Sequence, residues 1–147
     1  MINSIDTISK VQYPQVVEVW EASVRATHHF LREEDINYFK PLILNKYLNA
    51  VQLRCIRNKV KEIIGFMGVA DQNLEMLFIH PVHLRKGLGT NLLTYSLNEF
   101  NVNKVDVNEE NDHAVQFYKH YGFITVGRSE LDSSGKPYPI LHMELKN

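Results

Sequence analysis

The chain has 147 residues, 44% hydrophobic and 22% charged, a composition typical of one globular domain with its own core. The formal net charge of −1 argues against a protein that binds nucleic acid through bulk positive charge. The one cysteine, Cys55, cannot form an internal disulfide, so we expect a buried strand thiol in a reducing, cytoplasmic setting. Because the N-terminus does not resemble a signal peptide and no apolar run approaches ~20 residues, we interpret 1–147 as a single domain and expect no membrane partner.

The N-terminal third predicts a short strand followed by helices. Isoleucines at positions 2, 5 and 8 favour a first strand within 2–9. A helix is predicted from about 14 to 28, where Pro14 suits the first turn and apolar residues recur at helical spacing. A second helical region begins near Arg32, and Pro41 should kink it or begin its second half.

The remainder predicts a sheet with two further helices. Strands are expected over 51–57, 62–70 and 74–79, with antiparallel pairing across short turns, and the second is apolar enough to be buried on both faces. The pattern then alternates between helices and strands: helix 88 to about 100, strand 104–107, helix 112–121 closed by Gly122, and strands 123–129 and 138–145. This order predicts an α/β fold with a mixed sheet of six to seven strands and about four helices.

Residues 80–93 join the third of these strands to the next helix through a basic turn that contains glycines. Gly87 and Gly89 let backbone N–H groups approach a ligand, and the first turn of a helix leaves N–H groups unpaired. With Arg85 and Lys86 beside them, these groups predict a phosphate site. The turn lacks residues that two other phosphate-binding motifs require, the Walker pattern and the dinucleotide fingerprint.

Two motifs resemble the GNAT family of N-acetyltransferases. The turn is similar to that family's pyrophosphate loop, Arg/Gln-x-x-Gly-x-Gly/Ala, although Leu84 stands at the Arg/Gln position. Residues 111–123 are similar at every defined position to the family's Asn-x-x-Ala-x-x-Phe-Tyr-x-x-x-Gly-Phe motif. Residues 23–31 and 127–139 also look like those of a small bacterial member of the family, so the resemblance covers nearly the whole chain.

The resemblance implies a GNAT fold in which two splayed central parallel strands, ending near residues 79 and 107, hold acetyl-CoA. The thioester oxygen would accept a hydrogen bond from the backbone N–H of Phe78 or Ile79, and the departing thiolate would accept one from Tyr118. Asn111 would bind the pantetheine arm, cap its helix, or do both, and Tyr118 could instead be a core aromatic. The residues that the resemblance implies for cofactor binding are Phe78, Ile79, Arg85, Lys86, Gly87, Leu88, Gly89, Thr90, Asn111 and Tyr118.

An amine acceptor must lose a proton before it can attack the thioester. A lysine with a pKa of ~10.4 is neutral in roughly one molecule in 2,500 at pH 7, so a base or a relaying water matters. The resemblance suggests two candidates: Glu75, on the strand where several members place a carboxylate, and His28, beside the acceptor cleft. Glu75 could instead be an exposed strand residue, and His28 a packed histidine.

The sequence therefore predicts an acetyl-CoA-dependent N-acetyltransferase acting by direct transfer on a primary amine, in a small molecule, a protein lysine or an N-terminus. No metal is expected, because acyl transfer needs none and the histidines are scattered. The alternatives are a non-catalytic acyl-CoA-binding module and a toxin-type GNAT acting on aminoacyl-tRNA, which the acidic charge disfavours. The expectation of a homodimer comes from the resemblance alone. The acidic segment 33–35 is expected either to face solvent or to attract a cationic acceptor.

Overall fold

The computed structural model describes residues 4–146, and they form an α/β fold with a mixed sheet. Helices α1 to α4 span Tyr13–Thr27, Glu33–Leu42, Leu88–Glu99 and Asp112–His120. Strands β1 to β7 span Ile5–Asp6, Gln52–Arg57, Ile63–Ala70, Asn73–Ile79, Lys104–Asn108, Phe123–Ser129 and Ile140–Leu145. Each predicted element is confirmed within a few residues, except that the predicted first strand shortens to Ile5–Asp6 and its Ile2 lies outside the described residues.

The seven described strands lie in the order β1-β2-β3-β4-β5-β7-β6, an open sheet. Neighbouring strands are antiparallel, as predicted for β2 to β4, apart from the central pair of β4 and β5, which is parallel. That pairing covers Asn73 with Lys104 and Leu74 with Val105 and goes no further among the described residues. Beyond it the two strands diverge, which confirms the predicted splay at the centre of the sheet.

The sheet is covered by a hydrophobic cluster on each face. Phe66 packs in the cluster formed with α1 and α2, whereas the next residue, Met67, packs in the cluster formed with α3 and α4. Consecutive strand residues point to opposite faces, so both faces of β3 are buried, as its apolar run predicts. Cys55 is fully buried in the first of these clusters, and burial raises the pKa of its thiol.

The second helical region changes its winding soon after Pro41. The proline lies in the last turn of α2, which ends at Leu42. The chain continues as one π-helical segment over Ile43–Tyr47 and a 3₁₀ turn over Leu48–Ala50. The helical region therefore changes its winding just after Pro41, close to where the proline predicted a kink or the start of a second half. Within residues 4–146, no helix is both long enough and apolar enough to cross a bilayer.

Candidate active site

Two cavities open where β4 and β5 part. The wide cavity, of about 560 Å³, lies between α1, the turns after α2, the diverging strands and the loop that follows β6. The loop cavity, of about 470 Å³, lies between β4, the 84–90 turn and α4. Six residues line both cavities: His28, Leu77, Phe78, Asn111, Ala114 and Tyr118. A molecule bound in one cavity therefore meets a molecule bound in the other at this shared wall.

A β-bulge at Glu75 accompanies the parting of the strands. On β3, Val69 pairs with Leu74 and the preceding Gly68 pairs with Met76, so Glu75 is an extra residue in β4. A bulge bends its strand and changes where side chains point. This one lies at the residue that follows the last β4–β5 pair, and it exposes Glu75 to the wide cavity.

The backbone of β4 offers hydrogen-bonding groups to the gap. His80 donates its N–H to Ile64 on β3 over 2.9 Å. N–H groups in an antiparallel ladder alternate in direction, so Phe78 also faces β3, whereas Leu77 and Ile79 face the diverging β5. Of the two residues predicted to stabilise the thioester oxygen, Ile79 is the one whose N–H points into the gap.

The glycine-bearing turn presents its backbone to the loop cavity. Gly87 has φ +79° and Arg85 has φ +65°, both in the left-handed region. The bend places Leu88, Gly89 and Thr90 at the start of α3, before Asn91 makes the first intrahelical bond, to the Gly87 carbonyl. The Leu88 side chain is buried in the core, so only its backbone faces the cavity.

The two predicted cationic side chains of the turn are placed differently. Arg85 lines the loop cavity, whereas the Nζ atom of Lys86 lies 3.5 Å from the Nδ1 atom of His83. Leu84, at the position where the resemblance predicts Arg or Gln, also lines the loop cavity. The Thr90 and Tyr121 hydroxyl oxygens, 2.8 Å apart, hold the start of α3 against the end of α4.

Tyr118 lies at the junction of the two cavities. Its ring packs edge to face against Phe117 and Phe123, with centroids 5.2 and 5.7 Å apart. Burial raises the pKa of the phenol, so the hydroxyl stays protonated at neutral pH. The side chain is thus part of the core and also part of the cavity wall, and its hydrogen bond to the departing thiolate stays a prediction.

His28, buried at the end of α1, takes part in a directional chain of hydrogen bonds. The Thr27 hydroxyl donates to the Ser23 carbonyl over 2.8 Å, so His28 must donate its Nδ1–H to Thr27, also over 2.8 Å. The Nε2 atom then accepts from the Asn111 amide over 3.4 Å. Burial lowers the pKa of His28 to about 4, with a smaller contribution from His29, which keeps the ring neutral.

The Asn111 side chain makes two contacts at the start of α4, of which the helix cap was predicted. Its side-chain oxygen accepts the N–H of Ala114 over 3.3 Å, which caps the helix as predicted. Its NH₂ group points toward His28 at the wall shared by the cavities. The predicted contact with a pantetheine arm remains a prediction.

The acidic segment 33–35 does not form a free negative surface. Glu33 pairs with Arg25 over 2.6 Å, and Glu34 pairs with Arg32 over 3.1 Å. Asp35 is 1% exposed and accepts hydrogen bonds from Tyr138 and from Lys136, the latter over 2.9 Å. The Tyr138 hydroxyl, Lys136 and Arg32 lower the pKa of Asp35 to about 2. The expected attraction for a cationic acceptor is therefore wrong for Asp35, which instead fastens the loop after β6 to α2.

Sequence reasoning missed a line of three side chains in the wide cavity. The Nδ1 atom of His142 lies 2.7 Å from Asp106 Oδ1, and its Nε2 atom lies 2.7 Å from Ser129 Oγ. Asp106 and His142 are register partners on β5 and β7, a pairing that the order of strands does not reveal. No cluster of three His, Cys, Asp or Glu side chains within residues 4–146 is arranged to hold a metal ion.

Comparisons with known proteins place these features in context. Residues 26–146 match the family model described as an acetyltransferase (GNAT) domain. The chain is 36% identical over 143 residues to the peptidyl-lysine N-acetyltransferase YjaB of Escherichia coli K12, covering 97% of each chain. It is 25% identical over 130 residues to the peptidyl-lysine N-acetyltransferase YiaC of the same organism, covering 86% of each.

Solved structures show the same fold. The solution structure of apo YjaB from Escherichia coli superposes with a TM-score of 0.88 at 35% identity, covering 98% of this chain and 97% of that one. The PaiA N-acetyltransferase of Thermoplasma acidophilum, crystallised with coenzyme A, superposes with a TM-score of 0.76 at 20% identity over the full length of both chains. At 20% identity, the match to PaiA is evidence for a shared fold only.

Proposed function

The chain belongs to the GNAT family of acetyltransferases, and on this premise we propose that it transfers the acetyl group of acetyl-CoA directly to a primary amine. The observation that carries the proposal is the pair of cavities that meet at Tyr118, Asn111 and His28. Direct transfer needs a donor and an acceptor bound side by side, with the reacting atoms at a common wall. The loop cavity suits the donor, and the wide cavity suits the acceptor.

Acetyl-CoA is proposed to bind with its diphosphate at the turn and its acyl end in the gap between the strands. The turn offers the N–H groups of Leu88, Gly89 and Thr90 together with the Arg85 side chain, all suited to an anion. Lys86, directed at His83, contributes positive charge at longer range. The Asn111 amide and the β4 backbone at Leu77 and Ile79 would contact the pantetheine arm, and the Phe78 side chain lines the same cavity.

Two donors at the junction match the charges that develop during transfer. When the amine attacks the thioester, the carbonyl oxygen becomes negative, and the inward N–H of Ile79 supports its role as the stabilising donor. As the carbon–sulfur bond breaks, the sulfur becomes negative and the Tyr118 hydroxyl can donate to it. The raised pKa of Tyr118 supports hydrogen-bond donation rather than full proton transfer.

The two candidates for the base have different surroundings. Both ring nitrogens of His28 are engaged and its pKa is lowered, so its contacts support a positioning role that directs Asn111. Glu75 faces the wide cavity, and desolvation followed by the charge of Asp106 raises the pKa of its carboxyl. Of the two, Glu75 is better placed to meet an ammonium group, as the carboxylate that binds it or as the base.

The acceptor class that we propose is the side-chain amine of lysine in a peptide or protein. Both curated relatives are named peptidyl-lysine N-acetyltransferases. Carboxylates in the wide cavity, among them Glu75 and Asp106, complement an ammonium group. A small amine or a protein N-terminus is the alternative acceptor, and a homodimer is compatible with the proposal.

Thiol release from acetyl-CoA tests the proposal, with lysine peptides, N-terminal amines, polyamines and aminoacyl-tRNA as acceptors. We expect turnover with the lysine peptides, and mass spectrometry should place the acetyl group on the lysine. Tight acetyl-CoA binding without transfer to any acceptor would favour a binding module. Turnover on aminoacyl-tRNA alone would favour the toxin-type activity, and failure to bind acetyl-CoA would overturn the assignment of the loop cavity.

A further inference from the structure

Ser129, His142 and Asp106 form a continuous hydrogen-bonded line along the floor of the wide cavity, and all three line it. Both bonds are 2.7 Å long. A carboxylate can only accept, so the Nδ1 atom of His142 must carry the proton shared with Asp106. The Nε2 atom of the neutral ring then accepts from the Ser129 hydroxyl, whose lone pairs remain available to the cavity.

A second β-bulge puts Ser129 on the same face as His142. On β7, Met143 pairs with Thr125 and His142 pairs with Gly127, so Val126 is an extra residue in β6. Met143 is buried on the side of α3 and α4, and His142 points to the opposite side. If Val126 instead paired with His142 in a regular ladder, Arg128 would lie on the face of His142 and Ser129 on the opposite face.

From this geometry we infer that Ser129, His142 and Asp106 form a relay that receives the proton lost by the acceptor amine, with Ser129 Oγ as the atom that meets it. The inference rests on the proposed function and assigns Glu75 to binding the ammonium group. An N–H bond of the ammonium breaks as Ser129 Oγ gains that proton. The original O–H bond of Ser129 breaks as a new N–H bond forms at His142 Nε2. The amine is left neutral, and the imidazolium is stabilised by Asp106.

The surroundings of the relay suit a transient positive charge with a route to water. Side chains of His142 and Asp106 are 41% and 45% exposed, so the imidazolium can pass its proton to solvent between turnovers. The other charged or titratable side chains that line the wide cavity are His28, Tyr47, Glu75, Tyr118, Asp132 and Tyr138. A third cavity, of about 330 Å³, also contains His142, and it adds Asp71, Lys104 and Glu144. Four of them are carboxylates, which attract a transient positive charge on His142.

The test compares turnover of wild type, His142→Gln, Ser129→Ala and Asp106→Asn between about pH 6 and 10, using a lysine peptide and a peptide whose only amine is its N-terminus. General-base groups contribute about 10²- to 10⁴-fold, so at pH 7 we expect kcat of His142→Gln to fall about 100-fold or more with the lysine peptide. The deficit should shrink as the pH approaches ~10.4, and it should be smaller for the N-terminal amine, whose pKa is ~8. Ser129→Thr, which keeps the hydroxyl, should recover much of the activity that Ser129→Ala loses.

His120→Gln is the matched control, because His120 lies at the end of α4 and lines neither cavity. It should keep wild-type turnover, and all variants should bind acetyl-CoA within about twofold of wild type. Glu75→Gln distinguishes binding of the ammonium group from removal of its proton, because this variant should mainly raise KM for the amine.

Three results would overturn the relay: unchanged turnover in His142→Gln, a deficit that is the same at every pH and with both amines, or an acetyl group on Ser129. The last would make Ser129 a nucleophile instead. If the wild-type protein transfers acetyl to neither amine, the proposed function and the relay fail together. If wild type and variants transfer equally well, only the relay fails.

Discussion

The two cavities are built in different ways. The loop cavity is formed largely by residues that are close in sequence, from Leu77 to Thr90 and from Asn111 to Tyr118, and much of what it offers a ligand is backbone. The wide cavity combines side chains from α1, the turns after α2, four strands and the loop after β6. A local motif therefore specifies the donor side, whereas the acceptor side depends on strand register and on two bulges. If the proposed assignment of the cavities is right, substitutions at residues that line only the wide cavity should change acceptor use and leave donor binding intact.

Outside the relay, the largest effect is expected at the wall that both cavities share. Tyr118→Phe removes one hydroxyl, and loss of a hydrogen bond to a charged partner of about 1.5–3 kcal/mol corresponds to a kcat lowered about 10- to 150-fold. KM for acetyl-CoA should stay within about twofold, because the ring remains packed. Steady-state thiol release measures both constants, and Tyr13→Phe, outside both cavities, is the control. Undiminished kcat would exclude Tyr118 as the thiolate's partner.

On the donor side, Arg85 and Lys86 provide a matched pair. Arg85→Ala should raise the dissociation constant of acetyl-CoA about tenfold or more, the loss expected for one charged hydrogen bond. Lys86→Ala should raise it less than about threefold, since that side chain points at His83 and acts as a distant surface charge. Calorimetric titration with acetyl-CoA distinguishes the two. Equal losses would mean that the turn binds its ligand by charge alone.

On the acceptor side, Glu75→Gln keeps the shape of the side chain and removes its charge. KM for a lysine peptide should rise about fivefold, as expected for the loss of ~1 kcal/mol of attraction in a wet cavity. A neutral hydroxyl acceptor of similar shape, used as an inhibitor, should bind equally well to both proteins. A fall in kcat with unchanged KM would instead identify Glu75 as the base.

The smallest effect on turnover is expected at Asp35, which acts on stability. The pKa of Asp35 is lowered to about 2 from its ordinary value of 3.8 by Tyr138, Lys136 and Arg32. Its stabilisation is therefore complete above pH ~4 and is lost as the pH falls from ~4 toward ~2. Urea midpoints across this range should fall more steeply for wild type than for Asp35→Asn. Glu18→Gln, at an exposed site on α1, should follow wild type.

The sequence predicted the loop cavity more completely than the wide one. Gly87, Asn111 and Tyr118 belong to two motifs that resemble GNAT patterns, and that resemblance implied one site for them. All three line the loop cavity. Whether Phe78 or Ile79 directs its N–H inward depends on ladder register, which a single sequence does not show. The alignment of Ser129 with His142 depends on one extra residue in β6, and the burial of Asp35 depends on a loop about 100 positions away.

The short pairing of β4 with β5 has a consequence for folding. Two rungs join the halves of the sheet, and beyond them the amides of Leu77 and Ile79 face a space rather than a strand. One hydrophobic cluster already joins the two halves, and a ligand lying in that space would add hydrogen bonds between them. Hydrogen exchange should then slow at these two amides when acetyl-CoA is added, and the sheet should become more stable as a whole. The stability of the sheet thus depends in part on the bound acetyl-CoA.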